Sequence, residues 1–510
     1  MFHRRDAMIR LGQFGLGSLA LPNLLRAEGM AKSQGQSGQP VQPGQRQPTS
    51  NIPSTGIARP AGSAGSARSC ILIYLWGGPP QQDMWDMKPL AAEGIRSQFQ
   101  PIQTVVPGID VCEHLPLFAR HTDKTAIIRS LTHDSNNHEP SVYRTLTGRI
   151  NNTLVVPRNQ RNRSDFPNVG SVVSYFTPLG PMPASVTIPR PIGHDGSTYS
   201  GTYAGFLGGR HDPMEFAAAE ETNEKPTHSI ALPPEISDAR LLARRGLLNV
   251  IEGVDARFQS GQPFHQPGQR PPTLEIASAG TAPPAASARL AGSMDSYREQ
   301  AFGMLASPVA KRAFNLDLED PRTRDRYGRN EYGESILLAR LLIESGVRLV
   351  TISWMYIQKS GNVANVWDNH GPFEGLTGTN MLKAYYCLPS LDQGFSALMD
   401  DLQSRGLLDE TLVAMWGEFG RTPKLNPAQG RDHWGACQSA VLAGGGIQGG
   451  QIHGSSDKDA AYPSTNPVSP EDMLATVYHA LGLREDAELR DPLNRPHRLV
   501  DGRPLVELFG

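Results

Sequence analysis

The sequence Ile71-Leu-Ile-Tyr-Leu-Trp76 is a short, continuous apolar run that stops at Gly77-Gly-Pro-Pro80. This pattern predicts a strand that is buried on both faces, as in the centre of a parallel sheet. Comparable runs recur at residues 125–130, 185–189, 347–354, 411–416 and 439–443. The chain is therefore expected to build one large sheet from segments that lie far apart in sequence.

Helical patterns separate these apolar runs, at residues 237–254, 332–345, 389–404 and 470–481. Repeated alternation of helix and strand predicts an α/β/α sandwich with a mostly parallel central sheet. In such folds, ligands bind beyond the carboxyl ends of the strands. Polar residues that directly follow the predicted strands are therefore the candidates for function.

Four segments place such polar residues after different strands. Asp83 follows the first strand, His138 the second, Asp368 and His370 come after the strand at 347–354, and Glu418 follows the strand at 411–416. Asp432 and His433 come shortly after Glu418. Their convergence at one edge of the sheet predicts a single site.

The residue types in these segments predict a site for divalent metal ions. Mixed carboxylate and imidazole donors suit zinc, manganese or iron, whereas purely oxygen sites suit calcium or magnesium. We predict one or two ions, with Zn, Mn, Ca and Mg as candidates. Two ions about 3.5–4 Å apart would activate a nucleophile and stabilise the leaving oxygen of a phosphate or sulfate ester. The predicted ligands are Asp83, Asp368, His370, Glu418, Asp432 and His433.

The N-terminal residues 1–29 contain Arg4-Arg5 ahead of a mildly apolar stretch. Twin arginines in this setting resemble a Tat export signal, which predicts contact with the Tat translocation machinery and a periplasmic or extracellular location. An ordinary basic amphipathic N-terminus is the alternative. The apolar stretch is short and interrupted by glycines, so no stable transmembrane anchor is predicted.

Composition bounds the rest of the chain. The 48 basic and 50 acidic residues form no basic block, which argues against a nucleic-acid partner. Residues 30–69, rich in Gly, Ser, Gln and Pro, predict a flexible linker, and residues 259–287 a flexible insertion within a domain spanning 70–510. The four cysteines show no C-x-x-C spacing, and buried free thiols are expected.

Four motifs occur in a fixed order and together resemble the DUF1501 family over about residues 65–509. They are Gly77-Gly-Pro-Pro-Gln-Gln-Asp83, Asn136-Asn-His-Glu-Pro-Ser-Val-Tyr143 with a helix ending at Gly148, Glu418-Phe-Gly-Arg-Thr-Pro423 and Gly430-Arg-Asp-His-Trp434. The resemblance implies an alkaline-phosphatase-like fold, alongside sulfatases and cofactor-independent phosphoglycerate mutases. It implies a fold more clearly than a substrate.

The resemblance also implies roles for individual residues. Asp83 resembles the superfamily's first-strand aspartate, and Asp368 and His370 resemble residues that hold one metal. Glu418 stands where an Asp-His pair is usual, and Phe419 occupies the place of the histidine. One expected ligand is thus missing, and Asp432 with His433 would have to compensate.

The resemblance leaves the nucleophile open. His138 occupies the position of the sulfatase nucleophile, which predicts a metal ligand or a general base instead. Ser141 is an alternative nucleophile, or a helix cap. Arg421 would hold a substrate anion or pair with Glu418.

Together these features predict an exported metal-dependent hydrolase of phosphate or sulfate esters. Its substrate would be a small-molecule or carbohydrate anionic ester, with tryptophans near the site permitting sugar contacts. The alternative is a non-catalytic, metal-containing binding or surface-assembly protein with the same fold.

Overall fold

The computed structural model describes residues 67–151, 161–194, 197–216, 301–358 and 363–510, together with the single positions 240, 241, 243 and 246. The expected export signal at 1–29, the linker up to residue 66 and the insertion at 259–287 lie outside these described residues. The helix predicted at 237–254 does so for the most part. Within the described part of the chain, every helix is too short or too polar to cross a bilayer.

An eight-stranded sheet forms the centre of the described region. Its strands in chain order are β1 (Ser69–Tyr74), β2 (Thr125–Leu131), β3 (Ser185–Ile188), β4 (Met214–Glu215), β5 (Leu349–Ser353), β6 (Thr411–Trp416), β7 (Gln438–Ala443) and β8 (Gln451–His453). In space they are ordered β8-β2-β7-β6-β1-β5-β3-β4. All neighbouring pairs are parallel except those that β7 makes with β6 and β2. The predicted α/β class with a mostly parallel central sheet is confirmed.

Within the described residues, seven α-helices with defined bounds accompany the sheet. They are α1 (His138–Thr147), α2 (Val169–Phe176), α3 (Pro308–Ala313), α4 (Pro321–Tyr327), α5 (Glu331–Glu344), α6 (Leu388–Ser404) and α7 (Pro470–Ala480). Side chains cap the starts of α5 and α7: Asn330 accepts from two backbone N–H groups at the start of α5, and Ser469 forms a capping box with Asp472 on α7. Such caps satisfy donors that a helix start leaves unpaired.

The central strand β1 has a hydrophobic core on each of its faces. Ile71 and Ile73 pack with the apolar sides of α5 and α6, whereas Leu72 and Tyr74 pack with α1, α2 and α7. Because side chains alternate along a strand, a fully apolar run such as this one fills two cores at once. The sheet is therefore the middle layer of the predicted sandwich.

Five short antiparallel ribbons in the described region are separate from the central sheet. The ribbons pair Pro101–Gln103 with Asp110–Cys112, Tyr356–Ile357 with Val363–Ala364, Gly420–Arg421 with His433–Trp434, Ser455–Ser456 with Pro463–Thr465, and Glu488–Arg490 with Pro496–Arg498. The third ribbon belongs to the connection between β6 and β7, which are neighbours in the sheet. Since β7 runs antiparallel to β6, its first residues begin at the edge where β6 ends.

The loops after β1, β2, β5 and β6 thus meet at one edge. Gly77, just after β1, has a φ of +119°, and its backbone N–H donates to both carboxylate oxygens of Glu418 at 2.9 and 3.1 Å. A Cβ at this position would lie 2.5 Å from the backbone nitrogen of Asp368. Glycine is required here because three loops approach each other more closely than a side chain allows.

Candidate metal centre

Three side chains from three different loops form the core of the site. The ligand atoms of His138, Asp368 and His433 all lie within 4.8 Å of one another. His138 begins α1, Asp368 lies in the loop beyond β5, and His433 lies in the ribbon between β6 and β7. Two imidazoles and one carboxylate are a donor set that suits zinc and related ions.

Both histidines are held by hydrogen bonds through Nδ1. His138 Nδ1 lies 2.6 Å from Glu418 Oε1, and His433 Nδ1 lies 2.9 Å from the backbone oxygen of Asn136. Each of these oxygens is an acceptor, so each Nδ1 donates its proton. In the neutral imidazoles, this fixes Nε2 as the nitrogen with a free lone pair.

Both Nε2 atoms point at Asp368. His138 Nε2 lies 3.2 Å from Asp368 Oδ2, and His433 Nε2 lies 3.0 Å from Asp368 Oδ1. A lone pair facing a carboxylate oxygen is repulsive unless a proton or a cation lies between them. In metal-bound histidines, the ring nitrogen that does not hold the metal usually donates to a carboxylate or a carbonyl oxygen, as Nδ1 of both histidines does here.

Asp368 accepts hydrogen bonds from several neighbouring side chains. Its Oδ1 also accepts from Arg421 Nη2 at 2.6 Å, and its Oδ2 from Asn365 Nδ2 at 3.1 Å. His370 Nε2 lies 3.2 Å from Oδ2, and the His370 side chain is 47% exposed. His370 is therefore the member of the cluster on its solvent side, next to the three core ligands.

The electrostatics of the cluster follow from these contacts. Burial raises the pKa of Asp368, but the Arg421 guanidinium and the three imidazoles outweigh that effect and hold the pKa well below its usual range. Burial lowers the pKa of His138, but hydrogen bonds to Asp368 and Glu418 raise it to about 9. Without an ion, the site therefore keeps Asp368 ionised and His138 protonated.

Glu418 supports the cluster from behind. It is fully buried, and its two oxygens accept from Gly77 and His138. His133 Nε2 lies 2.6 Å from the backbone oxygen of Glu418 and fixes that loop from the other side. The structure thus places Glu418 next to His138 and outside the three-residue core.

Phe419 forms a wall of the site. Its ring lies 4.9 Å from that of His138 and 4.6 Å from that of His433, measured between centroids, and it is fully buried. The place where the superfamily resemblance implies a second histidine is thus an apolar surface against both ligand rings. This wall keeps water from one side of the imidazoles.

Two predicted ligands lie apart from the core. Asp83 is fully buried and accepts from Arg431 Nε at 2.8 Å and from Ser97 Oγ at 2.9 Å. The exposed Asp432 accepts from Asn426 Nδ2 at 2.8 Å. The structure engages both carboxylates with neighbours other than the cluster histidines.

Two residues predicted for catalysis are also occupied. All three nitrogens of the buried Arg421 guanidinium donate inward, to Asp368 and to backbone oxygens that include those of Gly78 and Arg431. Ser141 is buried, and its Oγ lies 2.9 Å from Ser135 Oγ. Arg421 thus positions the loops and Asp368, while Ser141 fastens the first turn of α1 to the preceding loop.

Three contacts that support the site were not predicted from the sequence. Asn365 reaches both Asp368 and His138, at 3.1 and 3.2 Å, and could have been suspected from its place three residues before Asp368. The backbone carbonyl of Asn136 carries no side-chain signal. Arg431 lies inside a quoted motif, but its pairing with Asp83 spans 348 residues and has no local signature.

Comparisons with solved structures give distant similarities. A phosphonate monoester hydrolase from Silicibacter pomeroyi is 14% identical with a TM-score of 0.31, covering 87% of this chain and 76% of that chain. The PsFucS1 sulfatase from Pseudoalteromonas is 11% identical with a TM-score of 0.35, covering 82% and 68%. The lipoteichoic acid synthase LtaP from Listeria monocytogenes is 9% identical with a TM-score of 0.34, covering 84% and 75%.

Those similarities carry no inference about chemistry. The search of curated proteins found no match to this sequence. The sequence model of one family, described as "Protein of unknown function (DUF1501)", matches residues 67–509, which is nearly all of the described region. The chain therefore belongs to the DUF1501 family.

Proposed function

We propose that this protein is a metal-dependent hydrolase of anionic esters, with one divalent ion held by His138, Asp368 and His433. The observation that carries the proposal is the shared direction of the two imidazoles. Their Nδ1 atoms are bound to Glu418 and to the Asn136 carbonyl, while both Nε2 atoms face Asp368. If Asp368 served only in a structural ion pair, one of these histidines would be enough, and the second would not need to point its Nε2 at the same carboxylate.

The donor set favours zinc, since two histidines and one carboxylate are the protein ligands of several catalytic zinc sites, which keep a further position open. An ion in such a site polarises an ester oxygen and activates water. His370, on the solvent side of the cluster, is placed to complete the ligand set or to transfer a proton to the leaving oxygen. We assign one ion because Asp83 and Asp432, which would serve a second, are engaged elsewhere.

The surrounding residues prepare the ligands. Glu418 holds His138 in the tautomer with a free Nε2, Arg421 holds Asp368, and the Phe419 ring excludes water from one side. Because Ser141 is buried and bonded to Ser135, we propose direct attack by water with no covalent serine intermediate. Sulfate and phosphate esters both fit this chemistry, and export to the periplasm or beyond belongs to the same proposal.

One observation favours a second candidate, a metal-containing binding protein without turnover. The cation nearest the cluster, Arg421, has its nitrogens committed to Asp368 and backbone oxygens, so it offers little to a substrate anion. Catalysis of ester hydrolysis usually requires donors aimed at the charge that develops on the reacting group. Such a protein would bind the ion but hydrolyse nothing.

The decisive experiment combines metal analysis with turnover. Protein purified without chelator, and protein reconstituted with zinc or manganese, is analysed for metal per chain and assayed with p-nitrophenyl sulfate and p-nitrophenyl phosphate. We expect about one ion per chain, and hydrolysis that a chelator abolishes. His433→Ala should lose the ion, whereas His479→Ala, on α7, should keep it.

The outcomes separate the candidates. One ion without hydrolysis of a broad ester panel would favour the binding protein. Failure of the reconstituted protein to hold any ion would remove both readings, because each depends on the same three ligands.

A further inference from the structure

A groove of about 610 Å³ lies beside the candidate metal centre, between the segment that follows β1 and the loop before His433. We propose that it binds a neutral stretch of a carbohydrate chain, whose ester group is then presented to the His138, Asp368 and His433 cluster. This inference rests on the proposed function, because the cluster is to hydrolyse an ester group of the bound saccharide. Binding of the saccharide itself requires no turnover. Its lining includes Met87, Glu93, Arg96, Gln100, Leu425 and Gln429.

The volume of the groove suits a small organic ligand. Ligand sites in proteins commonly enclose about 300–1,000 Å³. A groove of about 610 Å³ exceeds what a simple inorganic anion needs, and it is partly open to solvent. A volume of this size accommodates several linked sugar units.

The chemistry of the lining argues for a neutral polyol. Gln100 and Gln429 are exposed, and the Gln100 side-chain amide and the Gln429 NH₂ group bond to none of the described residues. Free amides both donate and accept, which matches the hydroxyl groups of a sugar. Glu93 and Arg96 carry charges of opposite sign, so the lining lacks the excess of cations that a polyanion would need.

The apolar part of the lining completes this pattern. Met87 is buried and Leu425 half-buried, and both belong to the lining alongside the amides. A lining with both carbon and hydrogen-bonding groups fits the C–H faces and hydroxyl edges of pyranose rings. A purely apolar ligand would bury the amides without partners, which costs free energy.

One loop joins the groove to the metal centre. Leu425 and Gln429 form a wall of the groove, and between them Asn426 donates from Nδ2 to the backbone oxygen of His370 at 2.8 Å. On the same side, Gly430 packs so tightly that a Cβ there would lie 2.0 Å from the Asn369 oxygen. The loop that lines the groove therefore also contacts the backbone of Asn369 and His370, on the exposed side of the cluster.

The wall is held in a fixed shape. Gln429 adopts a φ of +58°, uncommon for a residue with a side chain, and its backbone oxygen accepts from the Thr379 N–H at 3.0 Å. Its side-chain oxygen accepts from Gln98 Nε2 at 3.1 Å. These bonds leave the Gln429 NH₂ group for a ligand, on a backbone that needs no rearrangement to bind one.

The test measures binding of neutral hexasaccharides by calorimetry, with cellohexaose, maltohexaose, mannohexaose and neoagarohexaose as probes. The full chain is used, alongside its Asp368→Asn variant, which we expect to lack turnover. At least one hexasaccharide should bind both proteins equally. Gln100→Trp, which fills the groove, should weaken that binding at least about tenfold, equivalent to ~1.4 kcal/mol.

Gln103→Trp is the matched control. Gln103 is exposed on the neighbouring ribbon and does not line the groove, so its variant should bind as the parent does. Gln429→Ala, which removes the amide without adding bulk, should also weaken binding. Thermal unfolding of each variant confirms that it is folded.

Three results would overturn the inference. They are the absence of binding to all four hexasaccharides, equal binding by the Gln100→Trp and Gln103→Trp variants, or binding that Gln429→Ala leaves unchanged. Because none of these measurements involves ester cleavage, the groove can fail while the proposed hydrolase stands. The reverse outcome, saccharide binding without hydrolysis, would support the groove and count against the hydrolase.

Discussion

Two aspartate–arginine pairs, each with a buried arginine, lie in the loops beyond the strands but have different surroundings. Asp368 pairs with Arg421 and also faces His138, His370 and His433, whereas Asp83 pairs with Arg431 and contacts no histidine among the described residues. Asp83 is completely buried, but Asp368 keeps 14% of its side chain exposed. The other neighbours of a carboxylate therefore decide whether it is available to an ion or only neutralises an arginine.

The largest expected effect is at Asp368. Asp368→Asn should reduce bound metal and ester hydrolysis to background, because a neutral amide no longer attracts a cation between the two Nε2 atoms. Metal analysis and turnover with p-nitrophenyl esters measure this. Asp432→Asn is the control, as this exposed carboxylate bonds to Asn426 and should be dispensable. Equal loss of metal in both variants would return Asp432 to the ligand set.

Asp83→Ala should instead act on stability. Removing this carboxylate leaves the Arg431 guanidinium buried without its partner, which typically costs about 3–5 kcal/mol. The free energy of unfolding, measured in denaturant, should fall by that amount while folded protein still binds its ion. The double variant Asp83→Leu with Arg431→Met should recover much of the loss. A stable Asp83→Ala protein that binds no metal would show instead that Asp83 is a ligand.

The stability of the metal-free protein should depend on pH through His138. The pKa of His138 rises from 6.5 to about 9 on folding, so the folded state holds a proton that the unfolded state releases earlier. The resulting stabilisation is complete below pH 6.5 and is lost as the pH rises through 9. Denaturant unfolding between pH 6 and 10 should show this decline. In His138→Gln the decline should be much shallower, and an unchanged slope would contradict the assignment.

The smallest effect is expected at Ser141. Ser141→Ala removes a hydroxyl that is bonded to Ser135, so it should cost about 1 kcal/mol of stability and leave turnover within about twofold. Parallel unfolding and kinetic measurements distinguish the two quantities. Loss of turnover in a stable Ser141→Ala protein would indicate a serine nucleophile after all.

The apolar runs predicted most of the sheet because each of its inner strands is buried on both faces. The run at 411–416 coincides with β6. The predicted membership of the DUF1501 family is also confirmed, over residues 67–509. The edge strands β4 and β8 escaped prediction, since they are two and three residues long and only half-buried for the most part. Too few residues alternate there to leave a pattern.

The site was predictable as far as strand ends define it. The sequence places His138 and Asp368 after strands that end at one edge and His433 shortly before β7, and the structure brings their ligand atoms within 4.8 Å of one another. Their role as metal ligands stays a prediction. The pairing of Asp83 with Arg431 was not predictable, because the two residues lie 348 residues apart. No local sequence feature distinguishes this pair from Asp368 and Arg421. The support of His433 by the Asn136 carbonyl depends on backbone position alone.

The antiparallel direction of β7 has a consequence for how the protein assembles. Glu418, Arg421, Arg431 and His433 all lie on one short excursion between adjacent strands, so they can find each other early, with little loop entropy to overcome. His138 must arrive from 280 residues away to reach Glu418. We therefore expect ion uptake to follow completion of the fold, making a bound ion a marker of mature protein and not the nucleus of its folding.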